Sequence, residues 1–344
     1  MILGVNFKLA FQGCRLVSCV IIFWLLCCAR SSAVFHLPNF VTFFHLKMAI
    51  SIVHANFFFP PKEAHSPSIS VEQEMPLDNS TSSWSDVSVA ESLSVMMQKE
   101  QTVYRSCDYL QQKPSATASL RLLVDENVRA EMVDWCYSFV DVCQFQRETV
   151  AVAMDMVDRF LSKSSLAPEA VLCDRIQFQL LTMTSLYVAV KTNEKNTLGI
   201  EFFSSISCEL YSVETIEAME RTLLHELSWR ISPPTCVQMA HHILVLLSKH
   251  VFLDKSWIAI LDEVGYQAEH AVRDYYFVTQ RPSTVAIAAI LNTLELFDKP
   301  NGQAFIRTLL SVMNDEFVSL EIILATKNRL YSLVYGRDSS DIDP

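Results

Sequence analysis

The chain has 344 residues, room for about two domains at roughly 150 residues each. It is 51% hydrophobic with only 6 glycines, a balance that, with long apolar runs, points to an all-α protein with sizeable cores. A net charge of -11 argues against a nucleic-acid-binding scaffold, because phosphate contacts need Lys and Arg.

At the N-terminus Lys8 and Arg15 precede an apolar run from Leu16 to Ala29, and Ser31-Ser-Ala33 follows. This is the pattern of a signal peptide, and the run is short for a membrane span. Residues 1–47 admit three readings: a targeting segment, a signal anchor, or a stretch left out of the working protein if translation starts downstream, for example at Met48. Residues 48–97 come next. After Phe59-Pro-Pro61, no Lys or Arg intervenes between Lys62 and Lys99, and Ser, Glu, Asp and Pro dominate. Such a composition buries too little apolar surface to offset ordering entropy, so the region reads as disordered. It is either a PEST-like degradation signal, with Ser66-Pro67 as a minimal proline-directed phosphorylation site, or a plain flexible tail.

Order is expected to resume near Gln98. Tyr104 to Leu110 reads as a short helix, broken by Lys113-Pro114. Five helices follow at about 126–143, 147–162, 174–191, 200–206 and 213–229. Ser232-Pro-Pro-Thr235 is a stop, which bounds a first domain at 98–232. A second domain, 233–333, carries helices at about 235–250, 255–277, 282–296, 302–312 and 315–333, before an acidic tail, 334–344. The stretches 181–190 and 282–290 are both small-and-aliphatic with no central charge. Each reads as the helix at the centre of its set, apolar on all sides.

The 10 cysteines form no CxxC pair and no metal-ligand rhythm. They read as free thiols of a reducing compartment, which suits an intracellular protein. No metal and no cofactor is implied. His241, His242 and His250 lack a carboxylate at metal spacing. A Gly-rich phosphate loop and an HExxH motif are both missing from the sequence, so an enzyme is disfavoured.

Charges inside apolar faces are the sharpest signal. On a wheel at about 100° per residue, Arg129 falls within the apolar arc of Val128, Met132, Val133, Cys136 and Val140. Asp158 flanks the stripe of Val150, Met154, Val157 and Leu161 on the next helix. The two suggest a buried ion pair; the alternative is an Arg that snorkels and an Asp that caps a turn. Glu220 sits amid Ile216, Met219, Leu223, Leu224 and Leu227, where a carboxylate needs a cation or backbone donors. Lys191, at the end of an apolar helix, is a reasonable partner, or it simply complements the helix C-terminus.

These blocks resemble the cyclin box. Arg129-Ala-Glu-Met-Val-Asp-Trp135 is similar to the family's first-helix signature. Arg147-Glu-Thr149 through Met156-Val-Asp-Arg-Phe-Leu161 is similar to its second helix. Phe178-Gln-Leu-Leu to Ala189-Val-Lys191 resembles the third, and Ala218-Met-Glu220 with Leu227-Ser-Trp229 the fifth. Residues 100–232 carry the likeness well; 233–333 carry it more weakly, through Pro233-Pro-Thr235 and Pro282-Ser-Thr-Val-Ala. The Met-Val-Asp-Trp-Cys-Tyr variant is similar to diatom cyclins.

The resemblance implies two tandem five-helix cyclin-fold domains and no catalytic centre. It implies a cell-cycle regulatory subunit of the nucleus and cytoplasm that binds and activates a cyclin-dependent serine/threonine protein kinase. Lys191 and Glu220 would contact kinase backbone beside its mobile helix, while Arg129 and Asp158 would brace the box internally. A docking patch for Arg-x-Leu-type peptides would use Val128, Glu131, Met132, Trp135, Phe178 and Gln179. Glu131 departs from the apolar residue usual there, and Thr192 and Asn193 replace an aromatic and an acid. The resemblance gives no nucleic-acid partner, and a membrane enters only through the N-terminal apolar segment. The alternative is a cyclin-fold binding module in transcription without kinase activation.

Overall fold

The computed structural model describes residues 82–111, 124–163, 165–208, 210–251, 256–296 and 319–336. The signal-like segment 1–47, residues 48–81 of the PEST-like region, the expected helix 302–312 and the tail beyond 336 lie outside the described residues. Within them the protein is all-helical, with no strand.

In chain order the helices are α1 (Ser82–Thr102), α2 (Glu126–Cys143), α3 (Glu148–Leu161), α4 (Leu166–Leu172), α5 (Arg175–Asn193), α6 (Ile200–Ile206) and α7 (Val213–Glu226). A second set follows: α8 (Cys236–Val251), α9 (Ser256–Arg273), a 3-10 turn (Tyr275–Thr279), α10 (Pro282–Leu296) and α11 (Leu320–Tyr335).

Local chemistry sets the helix starts. The Asp125 side chain accepts from Val128 N at 2.8 Å and opens α2, and Asp174 accepts from Ile176 N at 2.8 Å and opens α5. Ser212 does the same for α7 through Thr215 N. Around α5, which is buried almost continuously from Leu180 to Val190, pack α2, α3, α4, α6 and α7. In the second set α10 is the fully buried helix, from Ser283 to Leu294, with α8, α9 and α11 against it. Both central helices are apolar all round, as buried helices must be.

Three sequence expectations need correction. Residues 82–97, read as disordered, belong to α1. The Ser and acid content averages over the whole stretch, but the apolar residues concentrate at its end: Leu93 and Met97 lie one turn apart and join the core of Met239, Ile243, Leu244 and Ile260. Tyr104 to Leu110 is not helical. Its polar groups bond to distant elements instead of to the preceding turn: Cys107 N to Ser162 Oγ at 2.9 Å and Leu110 N to the Tyr275 hydroxyl at 3.0 Å. The expected helix 255–277 stops at Arg273. Asp274 there accepts from Tyr276 N at 3.0 Å and starts the 3-10 turn. Sequence reading also missed α4, where Pro168 occupies the first turn, a position that tolerates proline.

The two sets touch through side chains. Arg273 meets Asp134 at 2.8 Å, Arg147 meets Glu269 at 2.8 Å, and the Tyr275 hydroxyl donates to Asp108 at 2.9 Å. At the end of α1 the buried Glu100 carboxylate accepts from both the backbone N and the hydroxyl of Ser283, and so caps α10 from outside.

Candidate functional site: two ion pairs on the first helical set

Arg129 on α2 and Asp158 on α3 form a bidentate pair. Arg129 Nε donates to Asp158 Oδ1 at 2.9 Å and Nη2 to Oδ2 at 2.7 Å, with side-chain exposures of only 3% and 8%. The remaining hydrogen-bonding capacity is also used. Arg129 Nη1 donates to Val272 O at 2.8 Å, near the end of α9, and the Tyr109 hydroxyl donates to Asp158 Oδ1 at 2.9 Å. Burial, then the adjacent Asp158 charge, pushes the ionisation of the Tyr109 hydroxyl well above its ordinary value, which keeps it a donor. One buried charge pair thus joins α2, α3, the 104–110 segment and α9.

A second pair lies beside it that the sequence reading did not single out. Arg159 Nε meets Asp155 at 2.5 Å along α3, and Nη2 donates to Arg230 O at 2.8 Å. Its guanidinium sits 4.6 Å from the Tyr104 ring centroid, a cation–π contact. The i,i+4 spacing of Asp155 and Arg159 was legible as a helix-surface pair, but its burial was not.

Lys191 and Glu220 make a pair of different character. Lys191, in the last turn of α5, donates through Nζ to Glu220 Oε1 on α7, and the same ammonium lies 4.1 Å from the Tyr187 ring centroid. The side chains are 34% and 18% exposed, several times more open than the first pair. Ile216, Leu223, Leu224 and Leu227 are buried, while Met219 and Glu220 are half-buried at the edge of that stripe. Thr192 and Asn193 fold back on α5: Thr192 Oγ1 donates to Val188 O at 3.1 Å and Asn193 Nδ2 to Ala189 O at 2.9 Å. Glu194 accepts from Gln146 N at 3.0 Å and from the Thr149 hydroxyl, fixing the start of α3 to the end of α5.

The six docking-patch positions divide by burial. Val128, Met132, Trp135 and Phe178 are each buried, so the apolar members serve the core. Glu131 is exposed, and Gln179 is half-buried and accepts from the Tyr211 hydroxyl at 3.4 Å. Between the helical sets lies a cavity of about 590 Å3 whose wall includes Tyr104, Tyr137, Glu148, Asp155, Glu269 and Phe277.

Among the described residues Cys107, Cys136, Cys143, Cys173, Cys208 and Cys236 form no disulfide. Burial pushes the Cys143 thiol up to about 12, far from a reactive thiolate at neutral pH. Among the described residues no group of His, Cys, Asp and Glu could hold a metal ion, and no helix is long and apolar enough to cross a membrane. The His242 ring bonds to Gln238 O at 2.8 Å, and the His241 ring packs 5.8 Å from that of Trp257.

Residues 91–232 match the family model for the cyclin N-terminal domain. That stretch of the chain is similar to a cyclin box. The matched span holds all three ion pairs and begins inside α1. The G2/mitotic-specific cyclin-A1 of Caenorhabditis elegans is 32% identical over 166 residues, which is 48% of this chain and 31% of the relative. The G2/mitotic-specific cyclin-B of Hydra vulgaris is 26% identical over 240 residues, 69% of this chain and 61% of the relative. The chain thus spans from about a third to three fifths of the length of these relatives. The X-ray structure of a viral cyclin from herpesvirus saimiri shares the fold, with a TM-score of 0.51 at 12% identity over 71% of this chain and 97% of that one.

Proposed function

We propose that this protein is a cyclin: a regulatory subunit, not an enzyme, that binds and activates a cyclin-dependent serine/threonine protein kinase in cell-cycle control. The observation that carries the reading is the contrast between its ion pairs. Arg129 and Asp158 are sealed inside the helices, whereas Lys191 and Glu220 remain open enough to exchange their mutual bond for bonds to a partner's backbone. Activation would follow from binding the kinase better with its mobile helix in the active position than in the inactive one. That helix supplies the Glu that pairs with the ATP-orienting Lys.

We place the complex in the nucleus and cytoplasm, and take 98–232 and 233–333 as its tandem cyclin-fold domains. Arg-x-Leu-type peptides would meet Glu131 with their basic residue, because Val128, Met132, Trp135 and Phe178 are turned inward. The test is affinity purification of the full chain from dividing cells, followed by a kinase assay. Lys191→Ala with Glu220→Ala is expected to lose the kinase while the melting curve stays unchanged. Undiminished kinase recovery from that variant would overturn the assignment of these two residues.

A further inference from the structure

Aromatic rings gather on the face shared by α9 and α11, far along the chain from the cyclin box. On α9, Tyr266 is 48% exposed and its ring packs edge-on against His270 at 4.7 Å. On α11, Tyr331 is 42% exposed and its ring lies 5.2 Å from that of Tyr335. The Tyr335 hydroxyl donates to Glu263, one turn of α9 before Tyr266, so the two helices bring these three tyrosines together. Leu324, two turns before Tyr331, is also exposed. Half-exposed tyrosines offer a partner large contact area at low entropy cost.

The charges on the two helices say what kind of partner fits. Their lysine and arginines are each matched: Arg273 with Asp134 at 2.8 Å, Lys327 with Glu295 at 2.8 Å and Arg329 with Asp274 at 2.8 Å. Glu269 is matched by Arg147. Beside the Tyr266 ring, Asp262 and Glu263 meet no Lys or Arg among the described residues, and Glu263 receives the neutral Tyr335 hydroxyl. The face is therefore net acidic around aromatic rings. Tyrosine π-faces attract guanidinium and ammonium groups, and the unmatched carboxylates supply the complementary field.

We propose that the α9–α11 face docks a basic, arginine- or lysine-bearing segment of a partner protein. The site is separate from Lys191 and Glu220, so docking there leaves the kinase-facing residues free.

The test uses the full chain and a fluorescein-labelled Arg-Gly-Arg-Gly-Arg-Gly-Arg peptide in fluorescence anisotropy at about 0.15 M salt, where distant charges are largely screened. The unaltered protein is expected to bind it, and not the peptide with Glu in place of Arg. Tyr266→Ala with Tyr331→Ala is expected to weaken binding about tenfold, the loss of two cation–π contacts of under 1 kcal/mol each. Asp262→Asn with Glu263→Gln, which leaves every ring in place, is expected to weaken it severalfold and guards against a tyrosine variant that fails to fold. Equal binding by the parent and both double variants would assign the attraction to overall charge and overturn the proposal. So would absence of binding by the parent, or a dimer in sedimentation that the tyrosine variant dissolves, since the occupant would then be a second copy.

Discussion

Tyr109 and Arg129 share one acceptor: both donate at 2.9 Å to the same oxygen, Oδ1 of Asp158. A carboxylate buried this deeply is tolerable only because three donors surround it. Arg129→Ala leaves Asp158 without its counter-charge, and is expected to cost about 3–5 kcal/mol in urea unfolding. Tyr109→Phe removes one neutral donor and is expected to cost about 1 kcal/mol. Equal losses in the two variants would contradict the geometry.

Lys191→Ala behaves oppositely. A partly exposed pair contributes at most about 1 kcal/mol to folding, so its urea midpoint is expected to sit close to that of the parent. The loss appears in kinase recovery instead. The split between stability and binding separates the two pairs experimentally.

The packing of α1 is open to a direct check. Leu93 and Met97 are each 7% exposed in the core shared by α1 and α8. Leu93→Ala and Met97→Ala are each expected to cost about 2–5 kcal/mol. A disordered leader would give no change.

Glu100 gives a pH signature. Burial raises its pKa above the ordinary carboxylate value, and its bonds to Ser283 only partly oppose the rise. The folded state therefore holds the proton more tightly than the unfolded state. Its contribution to stability is fully present below the unfolded-state pKa and is lost as pH climbs through the higher folded-state pKa. Glu100→Gln removes this titration, so the urea midpoint of the parent is expected to fall relative to the variant as pH rises from about 4 towards neutrality. Parallel midpoints over that range would show that Glu100 does not titrate differently in the fold.

What the sequence makes legible follows from what carries a periodic or charged signature. Central helices announce themselves by apolar residues on all sides, and α5 and α10 are readable for that reason. Arg129, Asp158 and Glu220 stand out as charges within apolar stripes. The Tyr109 hydroxyl and the Val272 carbonyl complete the buried network, yet neither breaks any sequence pattern, so only the folded chain reveals them. The end of α1 is hidden by averaging: serines dominate the composition while Leu93 and Met97 do the packing. Residues 104–110 mislead in the other direction, because a helix-compatible string spends its hydrogen bonds on Ser162, Asp158 and Tyr275. The burial of the docking-patch residues is likewise invisible in one dimension, since an apolar residue facing a groove and one facing the core look alike.

The bond from Ser283 N to Glu100 spans 183 residues. During synthesis α1 leaves the ribosome early, but its capping partner emerges only after the entire box and two further helices have been made. Leu93 and Met97 have no cover until α8 is made, and Glu100 has no partner until Ser283 follows. Contacts of such long sequence separation form late, because loop closure must precede their reward. The first of the described helices is therefore among the last to settle, and a nascent chain halted before α8 would present it to whatever chaperone or protease is near.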